Sequence, residues 1–167
     1  MIAVLRVAGI GAVAAAVWLV AASQVPSHAR LPIESVVVGA VVTQPFGCTT
    51  LTLEPFDPFC PSRHIHTGID LAAPTGTDVH AATAGIASVG FDAAGAGLYV
   101  LVHVDDHVRI FYCHLSRLLV KAGDPVTPGE VIGLVGSTGR ATGPHVHFEI
   151  QVDRVAVDPA VWLATSP

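Results

Sequence analysis

The chain has 167 residues, a formal net charge of -5 and only 13% charged residues. That length holds one domain with a real hydrophobic core, while the low charge content excludes a disordered acidic chain and the acidic balance excludes the basic face that nucleic acid requires. Glycine (16) and proline (12) are frequent and long helix-period segments are missing, so short strands joined by tight turns are expected.

Residues 1–22 form an apolar run with one early positive charge, Arg6, which matches a charged n-region followed by an apolar h-region. Ala22 or Ala29 closes a small-residue cleavage site. The run also approaches the roughly 20 residues that span a bilayer. Residues 1–29 are therefore read as a signal peptide or an N-terminal membrane anchor, with residues 1–22 as the anchoring segment, and residues 30–164 as the folded domain. Either way the protein is expected to be secreted or associated with the cell envelope. No cysteine lies near the run, which argues against a lipid-anchored lipoprotein.

Residues 23–32 read as a linker and the valine-rich residues 35–43 as a strand stopped by Pro45 and Gly47. Residues 48–64 lack periodicity, contain three prolines and are bounded by Cys48 and Cys60, so a surface loop closed by a Cys48–Cys60 disulfide is expected in the oxidising compartment that export implies. Residues 78–91 read as a strand, or as two short ones broken at Gly85. Residues 98–104 and 107–114 read as a hairpin turned by Asp105-Asp106, and residues 116–120 as a connector. Residues 130–135 and 145–152 complete the strands, and residues 158–163 close the domain. The fold class is all-β.

Two stretches carry candidate chemistry. His64-Ile65-His66-Thr67-Gly68-Ile69-Asp70 offers imidazoles and a carboxylate on a segment that Gly68 keeps from being helical. Gly143-Pro144-His145-Val146-His147-Phe148-Glu149 reads as a strand with His145, His147 and Glu149 on one face and Val146, Phe148 and Ile150 on the core face. Three such side chains with a water form an open tetrahedral zinc site. Six side chains compete for that role: His64, His66, Asp70, His145, His147 and Glu149. The His-Glu-x-x-His helix of many zinc peptidases is absent. His28, His80, His103 and His107 have no motif context, and Asp105 and Asp106 read as turn residues.

Together with Thr43-Gln44-Pro45-Phe46-Gly47, Tyr112-Cys113-His114-Leu115-Ser116, Gly129-Glu130-Val131-Ile132-Gly133 and Gly136-Ser137-Thr138-Gly139, these stretches resemble the lysostaphin-type, or LytM-type, zinc metallopeptidases of family M23, in the family's order and over about residues 41 to 163. The resemblance implies an antiparallel β-sheet or sandwich of the duplicated hybrid motif kind, with one zinc on the floor of a narrow groove. It implies His66, Asp70 and His147 as zinc ligands and His114 and His145 as catalytic histidines that do not bind metal. His64 then falls to the groove rim, and Glu149 becomes a partner that orients a histidine or a plain surface residue. Two neutral imidazoles and one carboxylate leave zinc with the positive charge needed to activate water and polarise a carbonyl. The implied substrates are the peptides of bacterial peptidoglycan, at a cross-bridge or in a stem peptide. The competing expectation is a non-catalytic LytM-like module that binds cell wall or activates a partner hydrolase. Tyr112 is expected on the face of His114, and Cys113 on the opposite face as a buried core thiol.

Overall fold

The computed structural model describes residues 29–164. Residues 1–28, which include the cleavage site at Ala22, His28 and all of the expected leader or anchor but Ala29, lie outside the described residues. Among those described, no helix is long and apolar enough to cross a membrane.

The elements follow in chain order. A short 3-10 turn at Ile33–Ser35 precedes β1 (Val41–Gln44), β2 (Gly47–Thr49), β3 (His64–His66), β4 (Ile69–Ala72), β5 (Asp78–His80), β6 (Gly85–Asp92) and β7 (Gly97–His103). Then come β8 (Val108–Leu115), β9 (Arg117–Leu118), β10 (Pro125–Val126), β11 (Val131–Leu134), β12 (His145–Val152), β13 (Val155–Val157) and the helix α1 (Pro159–Ala164). The largest sheet runs β1-β4-β12-β8-β7-β6-β10, with β13 paired to β12. A smaller sheet runs β5-β11-β9, and β2 pairs with β3. Every paired strand is antiparallel, so the all-β reading holds.

One apolar cluster joins the two larger sheets. Ile69 and Leu71 of β4, Val100 and Val102 of β7, Ile110 and Tyr112 of β8, and Val146, Phe148 and Ile150 of β12 meet Val79 of β5 and Ile132 of β11. Along β12 buried and half-buried residues alternate, as the period of two requires. The core therefore sits against one face of the main sheet, and the other face is left for polar side chains.

Two expectations need correction, and a third is decided between its two alternatives. Residues 35–43 are not one strand: Val36 and Val37 enter the core from a bend, the Val36 carbonyl accepts the His80 amide, and pairing begins only at Val41. Hydrophobic burial, not strand propensity, explains those valines. Of the two readings of residues 78–91, the two-strand one holds: β5 ends at His80 and β6 begins at Gly85, and they lie in different sheets, with Ala81, Ala82 and Thr83 buried at the crossing and the Ala82 amide donating to the Tyr112 hydroxyl. The connector at 116–120 contains the short strand β9.

The Cys48–Cys60 disulfide is present, as expected. It joins β2 to a loop without regular pairing and so fixes the hairpin partner of β3, the strand that ends in His66. Replacing both cysteines with serine should cost about 3 kcal/mol of stability, the loop-closure value for a ring of this size. A shift of the urea midpoint with an unchanged slope would be the matching observation.

Candidate metal centre and groove

Three neighbouring strands bring the distant stretches together. β12 lies between β4 and β8, with His147 opposite Asp70 on one side and opposite Cys113 on the other. His66 reaches the same place from the end of β3, fully buried. Gly68 lets the chain pass close over β12: a Cβ there would stand 2.5 Å from the Phe148 carbonyl oxygen and 2.9 Å from the His147 ring.

His66 Nε2, His147 Nδ1 and Asp70 Oδ1 form a triangle with edges of 3.0, 3.1 and 3.2 Å. Hydrogen bonds at the far side of each ring decide which nitrogen faces inward. The Pro45 carbonyl accepts from His66 Nδ1 at 2.9 Å, so the neutral ring presents a lone pair at Nε2. Glu149 Oε2 accepts from His147 Nε2 at 3.3 Å, so that ring presents Nδ1. Glu149 is itself held by the Thr67 hydroxyl at 2.6 Å and by the Gln151 amide. With both rings neutral, three lone-pair atoms thus converge with no donor between them. Such a set calls for a cation, and the triangle matches within a few tenths of an ångström the spacing of ligands about 2.0–2.2 Å from one tetrahedral ion. These three residues could hold a metal ion.

Protonation without metal follows the same geometry. Burial opposes charge on His147, yet its hydrogen bonds to Asp70 and Glu149 outweigh burial and raise its pKa to about 9. Burial would raise the Asp70 carboxyl, but hydrogen bonds from His147 and His66 hold it well below the usual carboxylate range. Burial likewise opposes Glu149, whose hydrogen bonds to His147, Thr67 and Gln151 bring its pKa down.

Two further histidines flank the triangle. His145 donates from Nδ1 to the Gly143 carbonyl at 2.9 Å and sets Nε2 3.7 Å from Asp70 Oδ1. His114 donates from Nδ1 to the Thr138 carbonyl at 2.9 Å. The two rings lie 4.8 Å apart, and His114 is 6.2 Å from the His147 ring. Burial lowers the His114 pKa to about 4, with the Thr138 carbonyl opposing that shift and His145 and His147 adding to it. His114 is therefore neutral near pH 7, with an unprotonated Nε2.

The faces expected for Tyr112 and Cys113 are both reversed. Val100 pairs with Tyr112 while Leu98 pairs with Leu115, so β8 carries an extra residue, a bulge, and His114 has φ 64°. Tyr112 is fully buried in the core, away from the groove. Cys113 is buried too, but on the groove side beside His147. Burial, reinforced by the Glu149 and Asp70 carboxylates, pushes its thiol pKa up and keeps it protonated. Strand parity failed at this point because a bulge resets it.

His66, Asp70, His114, His145 and His147 all come together. His64 does not join them: its Nδ1 bonds the Glu54 carbonyl at 2.8 Å and its ring meets Phe56, so it braces the stapled loop. His107 pairs with Asp153 at 2.6 Å, and His103 meets Ser88. Asp105 accepts from the His107 and Val108 amides, as a turn residue does. Sequence reasoning missed the supporting roles of Thr67, Gln151 and Thr138; Thr67 and Gln151, each next to or two residues from a site residue, were the legible ones.

The groove above the triangle is lined by Gln44, Leu51, Leu53 and Glu54 together with Ala96, Arg140 and Thr142.

The model for "Peptidase family M23" matches residues 64–159. Among curated relatives, the peptidoglycan DD-endopeptidase ShyA of Vibrio cholerae is 42% identical over 87 residues, 52% of this chain and 20% of the relative. The chain spans only 20 to 28% of the length of the curated relatives it matches. Among solved structures, a zinc-containing peptidase from Vibrio cholerae aligns with TM-score 0.65 and 30% identity over 78% of this chain and 40% of that one. The catalytic domain of lysostaphin, an antimicrobial peptidase of Staphylococcus simulans, aligns with TM-score 0.63 and 31% identity over 75% and 93%.

Proposed function

The chain belongs to peptidase family M23, and we propose that it is an exported zinc metalloendopeptidase hydrolysing peptide bonds of bacterial peptidoglycan. One observation carries this reading: three atoms able to ligate a metal converge on one point beside two histidines that face the same groove. His66, Asp70 and His147 hold zinc, one ion per chain. Bound there, zinc supplies an activated water and polarises a carbonyl. His114 and His145 handle the proton and steady the developing negative oxygen. Each has Nδ1 fixed on a backbone carbonyl, which leaves Nε2 for this work. Neutral His114 is in the right state to accept a proton. Peptidoglycan as substrate rests on the naming of relatives such as ShyA. Export rests on the apolar residues 1–22 and on the disulfide, which needs an oxidising compartment.

Digestion of defined muropeptides by the zinc-loaded protein, followed by mass analysis of the products, tests the reading. Cleavage that a chelator abolishes and added zinc restores is the expected result. A protein that takes up no zinc under metal-replete conditions and leaves every muropeptide intact would instead be a wall-binding or activating module.

A further inference from the structure

Arg140 is the one arginine or lysine lining the groove among the described residues. Its backbone is anchored: the Arg140 amide donates to the Gly95 carbonyl at 2.9 Å, and Gly139 before it, at φ 69°, lies so close to residues 95–97 that a Cβ would stand 2.3 Å from the Gly97 nitrogen. Its guanidinium reaches the stapled loop, where Nη2 donates to the Leu53 carbonyl. That bond fixes the group's position and engages a neutral acceptor only. No carboxylate pairs with Arg140 among the described residues, and the two groove carboxylates are engaged elsewhere: Asp70 with the histidines, and Glu54 with the Gln44 amide at 3.2 Å. A planar guanidinium with donors to spare is shaped for a carboxylate.

We propose that Arg140 is a specificity-determining residue that binds a carboxylate of the substrate, so that the groove selects peptides carrying a free carboxylate near the scissile bond. This rests on the peptidase reading above. Away from the metal centre the other charged side chain lining the groove is Glu54, so Arg140 is the group there that attracts an anionic peptide. The loop that carries Arg140 also carries Thr138, whose carbonyl orients His114. A carboxylate held by Arg140 is therefore placed in register with the proton-handling histidine, the condition for binding energy to become orientation.

The test compares one cross-linked muropeptide in two forms, with free carboxylates and with every carboxylate amidated, using the zinc-loaded full chain as wild type, Arg140→Gln and Arg140→Lys. Wild type should prefer the free acid roughly tenfold or more, the scale of one charged hydrogen-bonded contact. Arg140→Gln should lose that preference because KM rises far more for the acid than for the amide, and Arg140→Lys should keep part of it. A wild type indifferent to amidation overturns the proposal. So does Arg140→Gln slowing both forms equally, which would make the residue a strut to Leu53. If wild type cleaves neither form, the peptidase reading fails and binding decides instead: a shift of the Arg140 side-chain N–H resonance with the acid but not the amide upholds the carboxylate site, and no shift sinks it.

Discussion

His147→Ala is expected to lose zinc and peptidase activity together. His147 supplies one corner of the acceptor triangle and stands directly opposite Asp70 across the β4–β12 pair. Removing it leaves His66 and Asp70, a two-donor set that falls short of the three protein ligands of a catalytic zinc site. Metal analysis after dialysis should therefore find about one zinc per chain in the wild type and close to none in the variant. Wild-type zinc binding should also depend on pH with a defined sign. The His147 pKa in the metal-free fold is raised to about 9, so below that pH zinc must displace a proton, and apparent affinity should fall about tenfold per pH unit on acidification. The same raised pKa stabilises the metal-free fold fully below the ordinary histidine value and ceases to do so as pH climbs through about 9. A variant that retains stoichiometric zinc would remove His147 from the ligand set.

His114→Ala is expected to separate the two properties, keeping zinc and losing about 10²–10⁴-fold in kcat, the usual contribution of one acid–base group. His114 approaches the triangle only at the distance of neighbouring rings, 6.2 Å to His147, and its Nδ1 is committed to the Thr138 carbonyl. Nothing in the acceptor triangle depends on it. Because His114 adopts φ 64°, a left-handed conformation that alanine resists, His114→Asn is the better-controlled variant. Asparagine tolerates that backbone, and its amide can still donate to Thr138 while it cannot act as a base. Loss of zinc in both variants would place His114 in the metal set and reverse the division of roles; full activity in His114→Asn would remove it from catalysis.

Period-two alternation sufficed to read the strand at 145–152, its polar face and its core face, since β12 lies in the middle of the main sheet and has no irregularity. The gathering of His66, Asp70 and His147 was legible only because separated motifs kept the order of a known family; residues 77 and 81 positions apart meet through strand order, which local pattern does not encode. The reversal at Tyr112 and Cys113 was not legible. A bulge is created by the mismatch between two strands, and nothing in Tyr112-Cys113-His114 alone announces the extra residue. The valines at 36 and 37 misled in the opposite way, because β-branched residues serve a core equally well from a bend.

The place of β12 also bears on how the chain folds. It is among the last strands to be synthesised, yet it occupies the middle of the sheet, between β4 and β8. Until residues 145–152 arrive, β4 and β8 each keep an open edge, and the sheet has a gap where its centre should be. Closing that gap requires contacts between residues far apart in sequence, which are slow to form. The acceptor triangle is completed in the same event, because His147 belongs to the closing strand. A nascent chain therefore has no assembled groove at any earlier length, and appearance of the site coincides with completion of the fold.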